Sequence, residues 1–120
     1  MAGKAFFFQR MNDHVQYLKK IQSTLDGKGD FQGTGFEECK LGQWLYAEGP
    51  EEASAVSTEA RNLFDSLLEP HQRFHDTSHE ALLKQQNGDT DGAKASMTEM
   101  LKLSNVLINI LLELDKMSNK

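Results

Sequence analysis

With 120 residues, a net charge of −5 and one cysteine, the chain suits a single domain spanning residues 1–120 with a modest core, and it excludes an internal disulfide. Its acidic residues are spread along the length and leave no basic patch to track phosphates, so nucleic acid is not an expected partner. The run Phe6-Phe7-Phe8 falls far short of the roughly 20 apolar residues a membrane span needs, and no basic segment leads into an apolar one as in a secretory signal, so the expected compartment is the cytoplasm.

From Lys4 to Leu25, the residues Phe7, Met11, His14, Leu18, Ile21 and Leu25 recur at spacings of three and four, which predicts an amphipathic helix with His14 in its apolar stripe. Gly27, Gly29, Gly33 and Gly35 make the next stretch a loop. Cys39 is expected at the start of a short helix carrying Cys39-Lys40-Leu41-Gly42-Gln43-Trp44. A helix N-terminus favours negative charge, so this position is expected to lower the thiol pKa toward the thiolate. Gly49-Pro50-Glu51-Glu52 begins another helix with proline in its first turn. Ala53, Val56, Ala60, Leu63, Phe64 and Leu67 supply its inner face as one continuous element, up to a break or kink at Pro70.

Beyond Pro70, the positions Leu67, His71, Phe74, His75, Ser78 and Leu82 keep helical spacing as far as Asn87-Gly88. Gly88 reads as the stop, Asp89 as a cap, and the last helix is predicted from about Gly92 to Met117. Apolar residues cover most of that helix's circumference, more than one internal interface uses. A homodimer is therefore expected, with Leu103, Val106, Ile110 and Met117 at its contact. The fold class that emerges is all-α, a four-helix bundle with an additional short helix carrying the Cys-x-Leu-Gly-x-Trp motif.

His71 and His75 stand four apart, so one helical face points both imidazoles in one direction. With His14 and Cys39 they supply three nitrogens and a thiolate, the tetrahedral set zinc favours. A lone histidine in an apolar stripe is ordinarily a core residue, but burying three without a shared ion is the costlier account. His79 is rotated roughly 80° from His71 at about 100° per residue, which places it at the rim with no expected role in metal binding. Leu41, Gly42 and Trp44 are candidates for packing around the cysteine, with Gly42 permitting close backbone approach and Trp44 keeping the surroundings dry. Asp13 is a candidate to accept a hydrogen bond from a ligand ring, and Tyr17 and Tyr46 carry hydroxyls that spacing does not place.

These three pieces, His14, then Cys39-Lys40-Leu41-Gly42-Gln43-Trp44, then His71-Gln72-Arg73-Phe74-His75, in that order, resemble the chemoreceptor zinc-binding domain, a bacterial family often called CZB. The resemblance implies Zn2+ held by His14, Cys39, His71 and His75 in a helical domain that regulates chemotaxis transducers or diguanylate cyclases. Catalysis is not expected. Four protein ligands would close the shell, and the chain holds no His-Glu-x-x-His motif, nucleophile elbow or phosphate-cradling loop.

The expected function is sensory or regulatory, responding to zinc availability or to oxidants such as hypochlorous acid through the redox-sensitive Cys39 thiolate. A di-iron, oxygen-binding bundle of the hemerythrin kind is the alternative from another class, but it needs bridging carboxylates and Glu-x-x-His pairs at inward positions. A bundle whose zinc is purely structural is the third reading. The chain includes neither a receptor's long signalling hairpin nor a cyclase domain, so it is expected either to stand alone or to have been cut from, or to work beside, a larger signalling protein.

Overall fold

The structure, a computed structural model, describes residues 7–119; the predicted helix start at Lys4 lies outside them. Six helices follow in chain order: α1 Phe7–Leu25, α2 Lys40–Leu45, α3 Gly49–Val56, α4 Thr58–Asp65, α5 Leu68–Gln86 and α6 Thr90–Ser118. The described residues contain no strand, and none of their helices is long and apolar enough to cross a membrane. The expected all-α bundle is thus what the chain forms. At 1.5 Å per residue, the 29 residues of α6 span about 43 Å and set the long dimension of a body measuring 49 × 20 × 19 Å.

The largest interface lies between α5 and α6, joined by a three-residue turn that makes them antiparallel neighbours. Gly88 adopts φ +80 there, and Asp89 accepts a hydrogen bond from the Gly92 N–H at 2.9 Å, capping α6 as the sequence predicts. α1 packs on both α5 and α6, and α3 and α4 fill the fourth side against α6. Phe7, Ile21, Phe64, Phe74, Leu107, Leu111 and Leu114 meet in the core, each no more than 1% exposed.

Two expectations need correction. The helix expected to run unbroken from Pro50 to Leu67 is interrupted at Ser57, whose backbone is extended (φ −176, ψ 167). The Ser57 N–H closes α3 on the Ala53 carbonyl, while its hydroxyl caps α4 by accepting from the Ala60 N–H at 2.9 Å. A serine side chain that satisfies a helix start competes with the continuous helix, and here the cap wins. Pro70, by contrast, falls in the first turn of α5, where its missing N–H costs nothing. The second correction concerns Leu103, expected at a dimer contact: it is 5% exposed and belongs to the core. Val106 and Leu112 are the large apolar residues of α6 that face outward.

Candidate metal centre

α1, the glycine loop, the start of α2 and α5 converge on one buried polar cluster. Cys39 is the N-cap of α2, and its Sγ accepts the Gly42 N–H at 3.1 Å, so the sulphur sits where helix-end donors are unpaired. A Cβ on Gly42 would lie 1.9 Å from the Phe36 carbonyl oxygen. Only glycine lets the loop cross here, and that crossing brings Cys39 to α5.

His71 and His75, one turn apart on α5, have ring centroids 4.8 Å apart. The Sγ of Cys39 lies 3.4 Å from Nε2 of His71. Ligand atoms of Cys39, His71 and His75 all fall within 4.8 Å of one another, and all three residues are buried. With metal–sulphur and metal–nitrogen bonds of about 2.3 and 2.0–2.1 Å, two donors on a tetrahedral zinc lie about 3.5 Å apart, so the sulphur–nitrogen spacing fits a shared ion. Nε2 of His71 is the nitrogen that faces the sulphur, while Nδ1 of the same ring is buried with no hydrogen-bond partner among the described residues.

His14, from the middle of α1, is equally buried at 2% exposure. It lies outside the tight three-residue cluster, stacked edge-on against Phe74 with ring centroids 4.6 Å apart. Its Nε2 is hydrogen-bonded to the Ser104 hydroxyl of α6 at 2.9 Å, which leaves Nδ1 as the nitrogen available to a further partner.

Nδ1 of His75 lies 3.1 Å from the Thr34 carbonyl. A bare nitrogen there would face the oxygen's lone pairs, so we assign the proton to Nδ1 and the lone pair to Nε2. The same carbonyl accepts from His79 Nε2 at 2.9 Å, which gives the exposed His79 a place around the cluster that the helical wheel did not anticipate. Asp13 makes its hydrogen bond to Arg10 at 3.4 Å, so the groups beside the histidine rings are Ser104 and the Thr34 carbonyl instead. Trp44 is core, packed edge-on against Phe7 and Phe64 with its N–H donated to Glu52 at 3.0 Å. Leu41 is 1% exposed. Tyr46, at the end of α2, is 42% exposed.

Burial sets the protonation states. It lowers the His14 and His75 pKa values from 6.5 to about 4 and that of His71 to about 3, with mutual repulsion among the rings adding to the shift for His14 and His71. All three are therefore neutral near pH 7, the form that binds metal. Burial also pushes the Cys39 thiol up, outweighing the backbone N–H groups of Gly42, Leu41 and Cys39 that pull it down. The sequence-based expectation of a lowered thiol pKa is thus reversed in the metal-free protein, because desolvation exceeds the helix-end effect.

The sequence profile of the chemoreceptor zinc-binding domain matches residues 14–82, more than half of the chain, and that interval contains all four expected ligands. The chain belongs to this family. Searches of curated proteins and of solved structures return no match. The cysteine–histidine cluster is compatible with the metal for which the family is named. Zinc in a chemoreceptor zinc-binding domain would find here a soft sulphur donor and neutral imidazoles, the set it prefers.

Sequence reasoning passed over Ser104 and Thr34. Ser104 had a legible signal, a small polar residue at a core position one turn from both Met100 and Leu107. Thr34 had none, because a main-chain carbonyl has no residue-specific signature.

Proposed function

We propose that this domain is a zinc-dependent regulatory module of bacterial signalling, acting in chemotaxis or cyclic-di-GMP pathways with a chemoreceptor or diguanylate cyclase as its output partner. The ligands are Cys39, His71 and His75, with His14 completing the shell through Nδ1 while Ser104 occupies its Nε2. The observation that carries this reading is the buried thiol–imidazole spacing of 3.4 Å in a chain of this family. Four protein donors leave no open position for substrate, so the module regulates and does not catalyse. The cluster holds no carboxylate among the described residues, which disfavours a di-iron centre of the hemerythrin kind.

Within this reading, Cys39 is also the redox element. A cavity of about 260 Å3 between α1 and the glycine loop is lined by Cys39, Asp13, Tyr17, Thr34 and Glu38, a route by which a small oxidant reaches the sulphur. Hypochlorous acid takes two electrons from the thiolate, giving a sulfenic acid and chloride. This removes the softest of the four donors and loosens α2, whose first turn the sulphur caps. No second cysteine exists to resolve the product internally, so reduction falls to an external thiol.

Elemental analysis of protein purified without chelator should give one zinc per chain; no zinc, or two irons, refutes the assignment. Treatment with hypochlorous acid, read by mass spectrometry beside a colorimetric zinc-release assay, should modify Cys39 and release zinc together. Zinc retained and Cys39 intact, at doses that already oxidise exposed methionines, would leave a zinc-availability sensor or a structural site.

A further inference from the structure

We propose that Tyr17 is a positioning residue of the metal centre: by gripping both main-chain polar groups of Thr34, its hydroxyl holds the carbonyl that orients His75. The inference rests on the reading of the cluster as a zinc centre. The Tyr17 hydroxyl accepts from the Thr34 N–H at 2.9 Å and donates to the Thr34 carbonyl at 3.3 Å. It also lies 3.2 Å from Nδ1 of His75. One phenol from α1 therefore fastens the loop and touches the ligand ring from α5.

The consequence follows from the acceptor that the loop presents to His75. The Thr34 carbonyl lies 3.1 Å from Nδ1 of His75, and with the Nδ1 proton assigned to that bond Nε2 is bare. Ligand histidines commonly donate their second ring N–H to a fixed acceptor in this way, but this acceptor belongs to a loop in which no residue from Asp26 to Glu38 is buried. Phe31 gives this loop a partial apolar anchor, but the Thr34 carbonyl itself is placed by hydrogen bonds, and the Tyr17 hydroxyl makes bonds to both main-chain groups of Thr34. The ring beneath that hydroxyl is seated edge-on against Phe31 of the same loop at 5.3 Å and against Phe74 of α5 at 5.9 Å.

Gly33 completes the device. It adopts φ +84, and a Cβ there would lie 3.1 Å from the Tyr17 hydroxyl and 3.2 Å from Cε1 of His79. Any side chain would strain the backbone and press on the groups that grip Thr34.

Tyr17→Phe keeps the seated ring and removes only the hydroxyl. In the full chain, zinc affinity measured by competition with a chromogenic chelator should fall about 10- to 100-fold, the range for lost outer-shell partners. The helical circular dichroism of the metal-free variant should match wild type. Nitrogen-15 spectra of the His75 imidazole report what a general packing defect would not move: Nδ1–H alone in wild type, a mixture of tautomers in the variant. Gly33→Ala, which deletes no hydrogen-bonding group, should also lower affinity, and it serves as the test should Tyr17→Phe not fold. Affinity within about twofold of wild type for the folded variants, with His75 still purely Nδ1–H, overturns the role of Tyr17. A wild-type protein that binds no zinc overturns the underlying metal reading instead.

Discussion

Along the α5–α6 hairpin, Phe74, Leu82, Met100, Leu107, Leu111 and Leu114 are buried in a continuous apolar seam. From Asp26 to Glu38 no side chain is buried at all. The loop is fastened there mainly by polar ties, Thr34 to Tyr17, His75 and His79 and the Phe31 carbonyl to the Thr24 hydroxyl at 2.7 Å, with the half-buried Phe31 ring as its one contact with the core. The hairpin draws on local contacts and hydrophobic burial and needs no metal. The loop depends on the geometry of Cys39 and its neighbours, whereas α2 is anchored by Leu41, Trp44 and Leu45, so a change at the sulphur acts first on the loop, the segment with least apolar support. A two-state element of a signalling domain is expected in such a low-stability region.

The largest test of that contrast removes ligands. Cys39→Ser and His71→Ala should each cost more than the 100-fold that bounds outer-shell effects in zinc affinity, with helical circular dichroism preserved by the hairpin. His79→Ala, whose bond to Thr34 is exposed to water, should fall short of the ~10-fold lower bound of that range. Collapse of helix content on loss of Cys39 would show that the two regions are one cooperative unit. The converse variant is Leu107→Ala, at a site with 0% exposure. It should destabilise metal-free and zinc-loaded protein alike by about 2–5 kcal/mol, measured by urea unfolding, while zinc affinity of the folded fraction holds.

A third test uses acid. The folded-state pKa values of about 4 for His14 and His75 and about 3 for His71 lie below the ordinary 6.5, so the unfolded chain binds more protons between those limits. The stability linked to the neutral rings is therefore complete above about pH 6.5 and declines as pH falls toward 4 and then 3. For Cys39 the sign is opposite, because its raised thiol pKa costs stability as pH rises past about 8.5. Denaturation midpoints of metal-free protein across this range should trace the acid decline, and replacing His14 and His75 by Phe should flatten it. The smallest expected effect on folding is at Val106, which is 43% exposed. Val106→Glu should alter monomer stability by no more than about 0.5 kcal/mol. For the homodimer expected from the apolar band of α6, light scattering should show wild type as a dimer and the variant as a monomer.

Much of the fold was legible because the helices of this chain advertise themselves. Periodic apolar residues marked α1, α5 and α6, the four glycines marked the loop, and Asn87-Gly88-Asp89 marked the hairpin turn. Ser57 was not legible as a break, since a serine inside a helical pattern caps or continues it depending on what the flanking halves pack against. Leu103 was misplaced for a related reason: a wheel shows that an apolar band is broad, but packing against the other helices decides which part of it is covered.

The sequence by itself determined the donor chemistry of the centre, because only one cysteine and a few histidines exist and their helical spacing turns His71 and His75 the same way. It also determined that Gly42 stands where the chain must pass close, although the reason, the Phe36 carbonyl, appears only in three dimensions. Tertiary structure decided which nitrogen each ring presents. Ser104 from α6 takes one side of His14, and the Thr34 carbonyl takes one side of His75. It also decided the charge state of Cys39, for a helix start favours the thiolate while burial opposes it, and the depth of burial depends on how α1, the loop and α5 close around the sulphur.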